Sequence, residues 1–264
     1  MVKKKSLLIG NTSQLNYYFP SDYDRISSRN IDYNFIINGN YENIYILFAE
    51  QRTFLNQNDE FYLDINFRYT IDLINKIKNY VKKIIVYSTS ELWNNYDGEV
   101  SVNSKFDYNY TPYIKSKEVL SNYINDNKKD YSNVHIVYPF NFNSIYRKEG
   151  YLFSKIFNSL INKSITEVGD LNFTRDIIHP SIIVKESIIT NQDTLVGSGE
   201  LINIKDFVND LFQLHNLNSD DYIKSNSENN LPNQRKNYYS KIKYSNYNEL
   251  LNLTYDDVKK NKLS

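Results

Sequence analysis

Tyr113 and Lys117 stand four residues apart, and on a helix positions four apart share one face. An ammonium beside a phenol favours the phenolate and lowers the phenol pKa. Such a phenol exchanges a proton near neutral pH, as a general acid or base must. Upstream, Ser88-Thr89-Ser90-Glu91-Leu92-Trp93 closes an apolar run, and the Thr89 hydroxyl can hold the same substrate oxygen. Together the three groups suit hydride transfer at a carbinol carbon, with a nicotinamide as hydride carrier. A Tyr-x-x-x-Lys match alone says little in a chain with 25 Tyr. Its context says more: the match opens a helix that follows a strand ending in Ser/Thr.

The elements that must position these groups follow from periodicity. Ser6-Leu-Leu-Ile-Gly10 is a short apolar run ending in Gly, the mark of a buried parallel strand entering a loop. A weak strand is expected around Tyr23–Arg29 and a buried one over Asn43–Phe48. Phe61, Ile65, Tyr69, Ile71, Ile74, Ile77 and Tyr80 predict a helix over Asp59–Val81, with Lys82-Lys83 at its C-terminal end, where cations suit the dipole. Ile84–Tyr87 reads as a strand, Tyr113–Asn127 as a helix, and Val134–Phe140 as a strand stopped by Pro139. Leu152–Leu160 and Ile204–Leu214 are helical, and the polar stretch Asn216–Asn237 reads as a loop. Strands alternating with helices predict an α/β, Rossmann-like, doubly wound parallel sheet.

Composition bounds the rest. A chain of 264 residues suits one continuous α/β unit with room for a small second lobe. Lys+Arg 31 against Asp+Glu 31 leaves no basic excess, which argues against a nucleic-acid binder. The mean hydropathy of −0.59 reflects Asn, Lys and Tyr, and 25 Tyr and 14 Phe must supply much of the apolar area. Those residue types have AT-rich codons, so the bias reads as genomic. The absence of Cys excludes disulfides, thiolate metal sites and Cys catalysis. Three scattered His make no zinc site: His135 reads as a satisfied core imidazole, His179 as a structural hydrogen-bonding group and His215 as solvent-facing at a helix end. Trp93 reads as packing below the strand that carries Thr89, and Lys3-Lys4-Lys5 as a solubilising run. The start leads into an apolar run too short for a signal peptide or a membrane span, so a cytoplasmic location is expected.

Several segments, in order, resemble the extended short-chain dehydrogenase/reductase family of nucleotide-sugar epimerases, dehydratases and reductases. Ser6–Gly10 resembles the first strand and turn, Ile44-Tyr-Ile-Leu-Phe-Ala49 the strand that ends over the cofactor, and Asp64-Ile-Asn66 the helix with an Asn aimed at the site. Tyr87-Ser-Thr-Ser-Glu-Leu-Trp93 is similar to the Ser-Thr-Ser-Glu-Leu-Tyr of GDP-mannose dehydratases. Tyr138-Pro-Phe-Asn141, Thr174-Arg-Asp-Ile-Ile-His179 and Val196-Gly-Ser-Gly-Glu200 resemble three later family segments. The resemblance implies that Thr89 aligns a substrate hydroxyl, Tyr113 is the acid/base and Lys117 holds the nicotinamide ribose. It puts Gly10, Ser13, Gln14, Ser28, Arg29, Phe48, Ala49, Asn66 and Tyr138, with Tyr113 and Lys117, on the cofactor. Glu91, Asn141, Arg175 and the late Arg235 then face a nucleotide-sugar substrate, and a bidentate guanidinium suits its diphosphate. Residues 1–141 would form the dinucleotide-binding domain. Residues 142–264 would form mainly a small C-terminal substrate-binding lobe, with about 174–190 returning to the core. A homodimer through the helices Asp59–Val81 and Tyr113–Asn127 is implied, with no nucleic acid, membrane or metal.

The sequence also departs from the pattern. The family's Gly-x-x-Gly-x-x-Gly falls on Gly10, Ser13 and Asn16, so one glycine of three remains, and Pro20 cuts the following helix short. Dinucleotide binding retained, weakened or lost are all compatible with that loop. Ser28 and Arg29 could accept a 2′-phosphate, which leans the expectation to NADP(H), while Asp32 keeps NAD(H) open. The expected activity is 4-keto-sugar reduction or epimerisation in polysaccharide or glycoconjugate synthesis. Alternatives are a 4,6-dehydratase using Glu91 and a non-catalytic dinucleotide-binding protein.

Overall fold

Leu7, Leu8 and Ile9 are fully buried, as a strand covered on both faces of a parallel sheet must be. In the computed structural model, which describes residues 5–147, 150–225 and 236–262, they form the strand Ser6–Ile9. The sheet around it has six strands in the order Thr194–Val196, Val134–Pro139, Lys83–Tyr87, Asn43–Ile46, Ser6–Ile9, Asp24–Ile26. Every pairing from Val134–Pro139 across to Asp24–Ile26 is parallel. The order reverses between Ser6–Ile9 and Asn43–Ile46. In open α/β sheets ligands bind at the carboxyl ends of the strands flanking such a reversal. Here those ends are Gly10 and Leu47–Ala49.

The first crossover is a single turn. Residues Gln14–Tyr18 form a 3-10 helix, and Pro20 pushes Phe19 into an extended conformation (φ −76, ψ 153), which ends it. The strand expected around Tyr23–Arg29 is three residues long, Asp24–Ile26. A short helix, Tyr33–Asn38, then starts where the Asp32 carboxylate accepts the amides of Asn34 (2.9 Å) and Phe35 (3.3 Å).

The Asp59–Val81 segment is helical through Tyr80 but not uniformly so. An α-turn over Asp59–Leu63 passes into a π-helical stretch, Asp64–Tyr69, and returns to α-helix over Thr70–Ile77. The buried positions Tyr62, Asn66, Thr70 and Ile74 are four apart and would drift around a straight α-helix of 3.6 residues per turn. The wider π turn keeps them on one face. Lys83, expected at the end of this helix, instead begins the strand Lys83–Tyr87. Its buried ammonium donates to the carbonyls of Ile188 (2.7 Å) and Thr190 (3.1 Å), capping the helix Pro180–Ile189. That helix is not among the elements expected from periodicity. Pro180 at its first position favours helix.

The chain divides into two units. One comprises Met1–Trp93, Val102–Pro139 and Val184–Leu195, and the other Asn94–Ser101, Phe140–Ile183 and Val196–Ser264. The second unit has its own core, with Phe157, Leu160, Ile177, Phe207, Leu211, Phe212, Leu250 and Val258. Its last helix, Tyr247–Lys262, is polar along most of its length but buries Leu250, Thr254 and Val258 at four-residue intervals. The expected Asn216–Asn237 loop contains a helix, Ser219–Tyr222, and a strand, Ile223–Ser225. His215 is half-buried against the Tyr255 ring at 4.6 Å rather than solvent-facing. His135 is half-buried, and its Nδ1 makes no hydrogen bond among the described residues, so it is not the satisfied imidazole expected.

Candidate active site

The site is built on the carboxyl end of Lys83–Tyr87 and the helix Pro112–Asp126. Thr111 caps that helix by accepting the Ile114 amide at 3.1 Å, and Pro112 occupies its first turn. Ile114, Lys117, Leu120, Ser121 and Ile124 are buried, which turns Lys117 toward the sheet and leaves Tyr113, one turn earlier, half-buried. Lys117 is enclosed, and its ammonium donates to the Tyr87 carbonyl at 2.8 Å. Burial drives its pKa down to about 7.

Thr89 and Glu91 lie just beyond the same strand end, and both are 8% exposed. The Glu91 amide donates to the Thr89 hydroxyl at 3.2 Å. Ser88 and Ser121 share a hydrogen bond at 3.1 Å, tying strand end to helix. Trp93 is fully buried, donates from Nε1 to the Ser104 carbonyl at 2.9 Å, and meets Tyr138 edge-on at 5.2 Å, which is the packing role expected. Tyr138 is 1% exposed, and burial raises its phenol pKa.

Gly10 marks the other side of the sheet's reversal. Its φ is +115, and a Cβ there would lie 2.9 Å from the Phe48 amide nitrogen, so only glycine fits the approach of the two strand ends. The Ser13 amide closes the turn onto the Gly10 carbonyl at 3.0 Å. Asn16, where the family has its third glycine, is 8% exposed. The oxygens Gln14 Oε1 and Asn16 Oδ1 are buried without a hydrogen-bond partner among the described residues.

Phe48 is half-buried, with its ring 5.3 Å from Tyr69, and Ala49 is exposed. The Ser28 carbonyl accepts the Tyr69 hydroxyl at 2.6 Å, and Arg29 is exposed. Asn66 is 1% exposed: its Oδ1 accepts the Glu50 amide at 2.7 Å, and its Nδ2 donates to the Glu50 carbonyl and the Ser116 hydroxyl, both at 2.9 Å. Glu50 and Ser116 were not singled out in the sequence. Ser116 lies inside the Tyr113–Lys117 match, which is the one signal that could have found it. Glu50 also grips Arg52, whose guanidinium holds the carboxyl below its ordinary pKa.

In the second unit, Asn141 is half-buried in a two-residue strand paired with Ile177–Ile178. Arg175 is 8% exposed, with Nη1 on the Thr174 carbonyl at 2.7 Å and its guanidinium 5.1 Å from the Phe173 ring centre. Asp176 accepts the backbone amides of Ser198 (2.6 Å), Gly199 (3.1 Å) and Ser240 (2.9 Å). A Cβ at Gly197 would meet its Oδ2 at 2.5 Å, which accounts for that glycine. His179 bonds Ser181 (2.7 Å) and Asp257 (3.1 Å), the structural role expected of it. Arg235 lies outside the described residues.

The model of the GDP-mannose 4,6 dehydratase family matches residues 42–262. The chain belongs to the GDP-mannose 4,6 dehydratase family. No curated protein matches the sequence. Among solved structures, a UDP-N-acetylglucosamine 4-epimerase from Methanobrevibacter ruminantium, in complex with UDP-N-acetylmuramic acid, is similar at TM-score 0.78 and 16% identity, covering 100% of this chain and 98% of that one. RMD from Pseudomonas aeruginosa, complexed with NADPH, is similar at TM-score 0.77 and 12% identity, covering 97% and 100%. A UDP-glucuronic acid 4-epimerase from Bacillus cereus, in complex with NAD, is similar at TM-score 0.74 and 15% identity, covering 97% of each chain. The Rossmann-like sheet expected from the motifs is thus the fold of this GDP-mannose 4,6 dehydratase family member. The family match begins beyond the eroded glycine loop.

Proposed function

We propose that the protein is a nicotinamide-dependent oxidoreductase or epimerase acting on a nucleotide-activated sugar, by 4-keto reduction or epimerisation. The observation that carries this reading is the enclosed Lys117, bonded to the carbonyl of the strand whose end bears Thr89 and one helical turn from Tyr113. Thr89 holds and orients a sugar hydroxyl or carbonyl oxygen. Tyr113 gives its phenolic proton to that oxygen during reduction and takes it back during oxidation. Lys117, charged once a ligand's hydroxyls complete its hydrogen bonds, keeps the Tyr113 phenolate accessible near neutral pH. A nicotinamide dinucleotide bound at Gly10, Ser13, Gln14, Phe48 and Ala49 supplies or accepts the hydride at the sugar carbon.

Ser28 and the exposed Arg29 favour NADP(H), and Asp32, engaged in capping Tyr33–Asn38, supports the same preference. Asn141, Arg175 and Arg235 are assigned to the substrate. A homodimer, a cytoplasmic location and a place in polysaccharide or glycoconjugate synthesis complete the reading. Among the described residues no helix is long and apolar enough to cross a membrane. A 4,6-dehydratase is the second reading, favoured by the matching family model and by the buried Glu91 beside Thr89.

The test is calorimetric titration with NADPH and NADH in parallel, for the wild type and Arg29→Ala. NADPH is expected to bind more tightly, and Arg29→Ala to remove that preference by about tenfold, the scale of one charge-assisted contact. Binding of neither dinucleotide by the folded protein would make it a non-catalytic relative.

A further inference from the structure

The half-buried guanidinium of Arg25 lies among backbone carbonyls. Its Nη1 donates to the carbonyls of Ser21 (3.2 Å) and Tyr23 (2.5 Å), and its Nη2 to those of Phe19 (3.3 Å) and Pro20 (2.9 Å). Four carbonyls from one short stretch thus converge on a single side chain, which among the described residues bonds no carboxylate. A guanidinium suits this task because its N–H donors form a rigid planar fork, whereas an ammonium is a compact point charge.

The stretch that Arg25 holds is the abbreviated first crossover. Ser6–Ile9 and Asp24–Ile26 pair in parallel, and such a pair is ordinarily joined by a helix packed on the sheet. Here the connection contains only the 3-10 turn Gln14–Tyr18, which Pro20 prevents from continuing. Beyond the turn, carbonyls that a longer helix would pair with its own amides are taken by Arg25. The other end of the crossover is held by the next residue along the strand: the Ile26 carbonyl accepts the amides of Gly10 (2.9 Å) and Asn11 (3.2 Å). Both ends are therefore bonded to adjacent residues of the edge strand Asp24–Ile26, which stand in register with Leu8 and Ile9. Between them, the Ser13 amide reaches the Gly10 carbonyl at 3.0 Å and the Asn16 amide the Ser13 carbonyl at 3.1 Å.

We propose that Arg25 is a positioning residue that stands in for the missing crossover helix, holding residues 10–18 in the one shape that receives the diphosphate of the dinucleotide. What this hub serves rests on the nicotinamide-dependent reading above, whereas its existence does not. A single 3-10 turn offers an anion little of the dipole of a long helix, so the loop must bind through the placement of its groups. With its N–H groups turned to carbonyls, Arg25 acts through the loop rather than by touching the ligand.

The experiment uses the full chain with Arg25→Met and Arg25→Lys, each checked for folding by circular dichroism. Met keeps an apolar stem without donors, and Lys keeps the charge without the fork. Amide hydrogen exchange without ligand is the first readout. Arg25→Met is expected to speed exchange at the Ser13 and Asn16 amides, which Arg25 does not touch, by about tenfold or more. Titration with NADPH is the second. Arg25→Met is expected to weaken binding about tenfold, and Arg25→Lys to remain at least about fivefold weaker than the wild type, because the fork rather than the charge has been lost. Wild-type affinity in Arg25→Lys would make the charge responsible and overturn the proposal. Unchanged Ser13 and Asn16 exchange in Arg25→Met, or NADPH affinities that stay at the wild-type value while only the melting temperature falls, would overturn it too. If Arg25→Met does not fold, Arg25→Lys decides it by the same two readouts. If the wild type binds neither NADPH nor NADH, the functional reading fails and takes the purpose of the hub with it, and the exchange experiment still decides whether the hub exists.

Discussion

Replacing Lys117 with Met is expected to make the ligand-free protein more stable at neutral pH. Burial lowers the Lys117 pKa from 10.5 to about 7, so folding favours its neutral form. Between those values the folded chain binds fewer protons than the unfolded chain, and stability must therefore rise with pH across that window. At about 1.4 kcal/mol per pH unit, retaining Lys117 costs the fold about 4 kcal/mol at pH 7 and essentially nothing above its unfolded pKa. Met has a similar length and no charge, so it removes this cost. It also removes the bond to the Tyr87 carbonyl, a loss of about 1–3 kcal/mol when the acceptor is left buried and unpaired. The balance is a gain of about 1–3 kcal/mol at pH 7 that shrinks and then reverses toward pH 10. Urea denaturation of both proteins at intervals from pH 6 to 10, without cofactor, measures it. A variant less stable than the wild type at pH 7, or an offset that does not change with pH, would refute the reasoning. A gain in stability accompanied by loss of NADPH binding would identify Lys117 as a residue kept for function at the expense of the fold.

Two further substitutions bear on the site. Tyr113→Phe removes the transferable proton and is expected to abolish turnover while nucleotide-sugar binding, measured by calorimetry, stays within about twofold of the wild type; unchanged turnover would sink the acid/base assignment. Gly10→Ala places a Cβ 2.9 Å from the Phe48 nitrogen at a φ of +115 and is expected to cost about 2 kcal/mol or more in thermal or urea unfolding.

The sequence made some parts of the molecule legible and hid others for physical reasons. Ser6–Ile9, Asn43–Ile46 and Lys83–Tyr87 were readable because a parallel strand buried on both faces must be apolar throughout. The Pro112–Asp126 helix was readable from its spacing, and the short first crossover from Pro20. Tyr33–Asn38 is held by the Asp32 cap more than by amphipathic spacing, and Tyr247–Lys262 buries too narrow a stripe for its composition to betray it. Lys83 was misplaced because a buried ammonium capping a distant helix looks, in sequence, like a surface cation ending a local one. The members of the Thr89, Tyr113 and Lys117 set were individually visible because each is a chemical type at a fixed interval. Their support was not visible. That Asn66 reaches Glu50 and Ser116 depends on a π turn, and no periodic template contains one.

The single tryptophan gives the protein an optical asymmetry. Trp93 is shielded from water between Phe106 and Tyr138, two residues past Glu91, and it belongs to the unit that carries the six-stranded sheet. Its emission will be blue-shifted while that unit is folded and will shift red when water reaches the indole. The other unit has no indole and is silent at the same wavelength. Far-ultraviolet dichroism, in contrast, sees the helices of both. Superposing the two melting curves therefore shows directly whether the units come apart together or one after the other.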